Sequence, residues 1–109
     1  MGSWITRNLT QQVDLLKRHA EILDVLVKAD KPIGIIKLSK MTGHSPHLVR
    51  YSLRELENAD VVRPTARGSS LTLQSKGFLA NLNKELSGIQ TDLNGFADRL
   101  QQIQNRRAK

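Results

Sequence analysis

The stretch Ile33–Leu73, IGIIKLSKMTGHSPHLVRYSLRELENADVVRPTARGSSLTL, decides how the whole chain is read. Residues from Ile35 to about Met41 form a short helix, with Ile35 and Leu38 inward and the small Ser39 beside them. Gly43 then stops it, because a left-handed residue is best tolerated as glycine. Ser45 is a good N-cap for a following helix, and Pro46 falls at its first position, where no N–H is needed. That helix reaches about Asn58. Val49, Leu53 and Leu56 form its inner face, flanked by Leu48 and Ser52. Val61–Arg63 and Ser70–Leu73 are two short β-like runs, joined by Pro64–Ser69 with Gly68 at the tip. The order is helix, turn, helix, hairpin.

Upstream, a helix is expected from about Leu9 to Ala29. Val13, Leu16, Ala20, Leu23 and Val27 recur at three- and four-residue steps, and Ile22 and Leu26 widen that stripe into a core face. Asp30-Lys31-Pro32 ends it, since the residue before proline is pushed out of the helical region.

Downstream lies the most regular pattern in the chain. Leu79, Leu82, Leu86, Ile89, Leu93, Phe96, Leu100 and Ile103 alternate steps of three and four. A 3.5-residue apolar repeat sustained this long is a coiled-coil seam. From Ser75 to Arg107, at about 1.5 Å per residue, the helix would run about 50 Å, more than a small helical domain can cover. Gly88 and Gly95 fall on its outer face, and each costs about 1 kcal/mol of helix propensity. The seam therefore needs a partner. Two segments result: residues 1–74 as the helix-turn-helix domain and 75–109 as the dimerisation helix.

The charges beside the seam favour an antiparallel homodimer. With Leu79 as position a, the g positions are Glu85, Asp92, Arg99 and Arg106. A parallel pair makes no g–e ion pair. An antiparallel pair that joins Leu93 to Phe96, Ile89 to Leu100 and Leu86 to Ile103 sets Glu85 against Arg106 and Asp92 against Arg99. Exposed pairs of this kind are worth about 0.2–1 kcal/mol each, so they choose orientation more than they add stability.

The 109 residues allow a modest core, and with only 4% aromatic residues that core must be aliphatic. The net charge of +7, at a pI near 10.3, points to a polyanionic partner. The charge is uneven. Residues 37–76 hold a net of +4, against +1 before them and +2 after. The absence of cysteine excludes disulfides and thiolate zinc sites. No apolar run is long enough for a membrane span, and MGSWITRNLTQQ has no signal-peptide core, so a cytoplasmic protein is expected. His44 and His47 lack a third ligand at metal-binding spacing. No phosphate loop, metalloprotease motif or nucleophile–base pair occurs. Neither enzyme activity nor a cofactor is expected.

What remains is a basic reading head. With Val49, Leu53 and Leu56 inside, His47, Arg50, Tyr51, Arg54 and Asn58 face outward. In such an arrangement the start of the second helix meets base edges in the major groove. Arg50 is the best candidate for guanine, which arginine binds through two hydrogen bonds. His47, Tyr51 and Arg54 are candidates for bases or phosphates. Ser45 and the free N–H groups at the helix start suit a phosphate. Lys37, Lys40 and Thr42 are placed for flanking phosphates. Arg63 and Arg67 lie on the hairpin, with Arg67 at its tip for the minor groove or backbone. A merely solvated basic face is the competing reading of each.

The segment LSKMTGHSPHLVRYSLRELENADVV resembles the winged helix-turn-helix of prokaryotic transcription regulators such as the MarR, ArsR and PadR families. LTLQSKGFLANL is similar to their LT-x-x-G step from wing into C-terminal helix. The likeness covers roughly residues 20–82. With the long last helix added, the chain looks like small archaeal winged-helix proteins that dimerise through an antiparallel coiled coil. Two positions depart from the pattern: Asp60 stands where glycine usually precedes the wing, and Ser39 where alanine is usual. The resemblance implies a mainly α fold with a small β-hairpin wing. It also implies a homodimer that binds double-stranded DNA with the third helix and the wing. A transcription regulator, cytoplasmic and nucleoid-associated, is expected. An architectural DNA-binding protein and a winged-helix protein-interaction module are the alternatives.

Overall fold

A computed structural model describes residues 3–108; they form four helices and one two-stranded antiparallel sheet. The helices are α1 (Arg7–Ala29), α2 (Ile35–Thr42), α3 (Pro46–Asn58) and α4 (Ser75–Ala108). The strands are β1 (Val62–Thr65) and β2 (Gly68–Leu71). The chain divides into two compact units, one ending at Ser75 and the other beginning at Lys76. Among the described residues, no helix is long and apolar enough to cross a membrane.

Local chemistry accounts for the helix ends. Asp30 closes α1 in a left-handed conformation, its N–H donating to the Leu26 carbonyl. Gly43 closes α2 in the same way, at φ +81°. Ser39 does more than fit where alanine is usual: its hydroxyl donates to the His44 carbonyl at 2.6 Å and ties down the turn. Ser45 caps α3, its Oγ accepting from the Leu48 N–H at 3.3 Å. Asp60 takes the left-handed turn into the hairpin, at φ +61°.

The core is aliphatic. Ile22, Leu23 and Leu26 of α1 meet Leu38 of α2, Val49, Leu53 and Leu56 of α3, and Ile33, Val61 and Val62. The face that α1 buries differs from the one its strongest periodicity predicts. Val13 is 41% and Val27 50% exposed, Ala20 is exposed, and Leu23 alone of that stripe is buried. The helix is turned so that Ile22 and Leu26 lead inward. No residue of α1 before Ile22 is buried. Two apolar stripes run side by side on α1, and a core supplied by short helices covers only the one that α2 and α3 face.

The hairpin is tighter than expected. Val62 pairs with Leu71, and Thr65 with Gly68, so the turn is the two residues Ala66 and Arg67. Thr65 braces it. Its Oγ1 donates to the Gly68 carbonyl at 2.7 Å and accepts from the Arg67 N–H at 3.2 Å. Leu73, expected in the second strand, lies beyond it and is 98% exposed. At the base of the hairpin, Thr72 donates to the carbonyls of Asp60 and Val61.

A third segment joins the pair. Ile33 donates to the Ser69 carbonyl at 3.0 Å and accepts from the Ser69 N–H at 2.9 Å. Ser69 thus uses both its backbone groups on Ile33, so Pro64, its partner in β1, is not asked for the N–H that proline lacks. Gly68 is therefore not the tip of a loop. It sits where a Cβ would run into the Ile33 carbonyl and lie 2.6 Å from the Gly34 nitrogen, at φ +129°. Gly68→Ala should lower unfolding free energy by about 1–3 kcal/mol or more, the usual range for enforced backbone strain. Gly43→Ala, which meets nothing within 4 Å, should lose only the left-handed penalty of about 1–2 kcal/mol. Urea unfolding of both variants tests this; equal losses would reject the close-approach explanation.

Candidate nucleic-acid interface

The twist of α3 sorts its side chains into three directions. Val49, Ser52, Leu53 and Leu56 go inward. His47, Arg50, Tyr51, Arg54 and Asn58 are exposed. On the flank toward the hairpin, Arg50, Arg54 and Glu57 share a groove of about 540 Å³ with Ile35 and Ile36 of α2 and with Pro64, Thr65 and Ala66. The fold thus brings Arg50 and Arg54 together across from the hairpin, although they lie twelve and eight residues before its first strand.

The remaining candidates divide. Lys37, Lys40 and Arg67 are exposed, Arg67 in the hairpin turn. Arg63 lies apart from Arg50 and Arg54, in a separate hollow with Leu71, Thr72, Leu73 and Gln74. Thr42 is half-buried. Its hydroxyl donates to the Leu38 carbonyl at 2.8 Å and accepts from the His44 N–H at 3.3 Å, so it is spent on the turn. The Ser45 hydroxyl serves the helix cap. Tyr51 is 43% exposed, with the guanidinium of Arg18 from α1 over its ring.

Few of these charges are neutralised. Among the described residues, the ion pairs within 4 Å are Lys28–Asp24 and His44–Glu21. None of Lys37, Lys40, Arg50, Arg54, Arg63 and Arg67 takes part in one. Each guanidinium has five N–H donors and no acceptor capacity. Unpaired arginines on the exposed face of one helix and in one hairpin turn can therefore offer donors to an acceptor-rich polyanion. His44 is engaged elsewhere, its Nε2 3.1 Å from Glu21 Oε1.

Sequence reasoning missed the α1 side of this site. Arg18 donates from Nε to Ser52 Oγ at 2.7 Å, and its guanidinium carbon stands 5.8 Å from the centre of the Tyr51 ring. The two residues are 34 positions or so apart, and no local pattern links them. Next to it, His19 has a half-buried ring whose Nδ1 is fully out of solvent with no hydrogen-bond partner. Burial holds its pKa below the ordinary imidazole value; the Arg18 charge adds to this and Glu55 opposes it.

The seam of α4, taken by itself, is open. Leu79, Leu86, Ile89, Leu93, Phe96, Leu100 and Ile103 are all exposed and Leu82 is half-buried.

The His19 shift has a definite sign. A histidine whose folded pKa is lowered binds its proton more weakly folded than unfolded. Its contribution is complete above about pH 6.5, the unfolded value, and is lost as pH falls toward the lowered folded value. The melting temperature of the natural chain should fall between pH 7 and pH 5, and His19→Leu should remove part of that fall. An unchanged slope in the variant would show that His19 does not report on folding.

No protein-family model matches the chain, and no curated protein matches it.

Proposed function

We propose that the protein is a homodimer that binds double-stranded DNA and regulates transcription. In this reading the first unit is a winged helix-turn-helix. Helix α3 enters the major groove, the hairpin is the wing on the flanking backbone or minor groove, and α4 pairs antiparallel with its copy. The observation that carries the proposal is the set of exposed, unpaired cations on α3 and the hairpin, Arg50 and Arg54 above all, in the segment with the highest net charge. A buried interaction surface would be expected to neutralise such charges; a phosphate backbone does it with counterion release.

Arg50 is the specificity residue of this scheme and Arg67 a backbone residue. Lys37, Lys40, His47, Tyr51, Arg54 and Arg63 add contacts around them. Thr42 and Ser45 support the turn and the cap, with the Ser45 end of α3 directed at a phosphate. Gel shifts across a salt series, with duplexes selected from a random pool, provide the test. Arg50→Ala should relax site preference by about 1–3 kcal/mol at the affected base pair. Arg67→Ala should weaken all sequences alike and lower the salt slope by about 0.9. If neither variant changes binding at moderate salt, the assignment fails. Tight binding with a steep salt slope but no selected sequence would instead favour an architectural role.

The dimer is tested separately. Chains carrying Leu86→Cys and Ile103→Cys, mixed and oxidised, should give a mixed disulfide. Efficient linkage of the Leu86→Cys chain to itself would establish a parallel pair instead.

A further inference from the structure

We propose that Arg18 of α1 is a positioning residue for the reading face: it fixes the Tyr51 ring on the outer side of α3. The inference rests on the DNA-binding reading and extends the site to an element that reading leaves out.

Three observations converge on Arg18. Its Nε bonds to Ser52 Oγ at 2.7 Å, and Ser52 is 0% exposed. A buried hydroxyl among Val49, Leu53 and Leu56 needs such a partner, so the hydrogen bond is well held. The same guanidinium stands over the Tyr51 ring, 5.8 Å from its centre, within the range of a cation–π contact. Tyr51 itself is 43% exposed, so the ring is held on one side and open on the other. Ser52 and Tyr51 are consecutive, one pointing inward and one outward. A planar guanidinium can bond one and stack on the other; an ammonium offers a point charge without that plane.

The consequence is preorganisation. An exposed tyrosine without this clamp samples several rotamers, and binding must then restrict them at a cost in affinity. With the clamp, the ring is already set on the exposed face of α3, which also carries Arg54 and His47. Arg18 acts through Tyr51, and not on DNA directly.

A double-mutant cycle on the full chain reads this out. Arg18→Met, Tyr51→Leu and the double variant are measured for affinity to one duplex, with Arg18→Lys alongside. Arg18→Met should weaken binding about two- to tenfold. The double variant should bind no more weakly than Tyr51→Leu alone, and the salt slope should not change with residue 18. Arg18→Lys should not restore affinity. Because Tyr51 is the only tyrosine in the chain, its ring resonances give a DNA-free readout, which should move in Arg18→Met. Losing Arg18 orphans the Ser52 hydroxyl, so the cycle is repeated with Ser52→Ala in every member to separate clamp from fold. Multiplying losses, rescue by lysine, or a salt slope lowered by about 0.9 would make Arg18 a phosphate contact and overturn the proposal. So would an unshifted Tyr51 resonance. A natural chain that binds no duplex at low salt would overturn the DNA reading and the positioning role with it, while a shifted Tyr51 resonance would still establish the contact.

Discussion

The backbone bridge between Ile33 and Ser69 is the constraint on which the first unit depends. A two-stranded hairpin alone is marginal in water. Here it acquires a third segment from the link between α1 and α2, and both polar groups of Ser69 are satisfied. The bridge brings the backbones so close that residue 68 has to be glycine. Ile33, Val61 and Val62 are all buried with the apolar residues of the helices, so the hairpin and the helices share one core. The position of Ala66 and Arg67 relative to α3 follows from that anchoring.

A small aliphatic core leaves polar work to a few side chains around its edge. Ser39, Thr42, Thr65 and Thr72 each tie a turn to a nearby carbonyl. These hydroxyls hold the connections short and free the arginines from structural duty. Arg18 is the exception, since it bridges α1 to the buried Ser52. Next to it, His19 keeps an unpartnered nitrogen in the same contact between helices. The junction of α1 with α3 thus carries Arg18, His19 and the buried Ser52, and Arg18 reaches the Tyr51 ring from it.

Much of this was legible in the chain itself. The turn at Gly43, the cap at Ser45 with Pro46 behind it, and the inward Val49, Leu53 and Leu56 are local matters of conformation and period. The long last helix followed from its heptads in the same way. Three features were not legible. The close approach at Gly68 depends on a bridge between Ser69 and a residue about 36 positions upstream, and nothing local to Gly68 signals it. Helix α1 carries two adjacent apolar stripes, and periodicity cannot say which one meets a neighbour. The link between Arg18 and Tyr51 has no local signature at all.

The sequence by itself determined the order of elements, the helix ends, the aliphatic character of the core and the outward basic face of α3, because each depends on residues within a few positions of one another. Only the tertiary structure decided which side of α1 is buried, how tight the hairpin is, that Arg50 and Arg54 share a groove with Pro64, Thr65 and Ala66 while Arg63 lines a different hollow, and that Arg18 stands over Tyr51. Those features are set by which surfaces meet when distant segments pack, and a one-dimensional pattern holds no record of that choice.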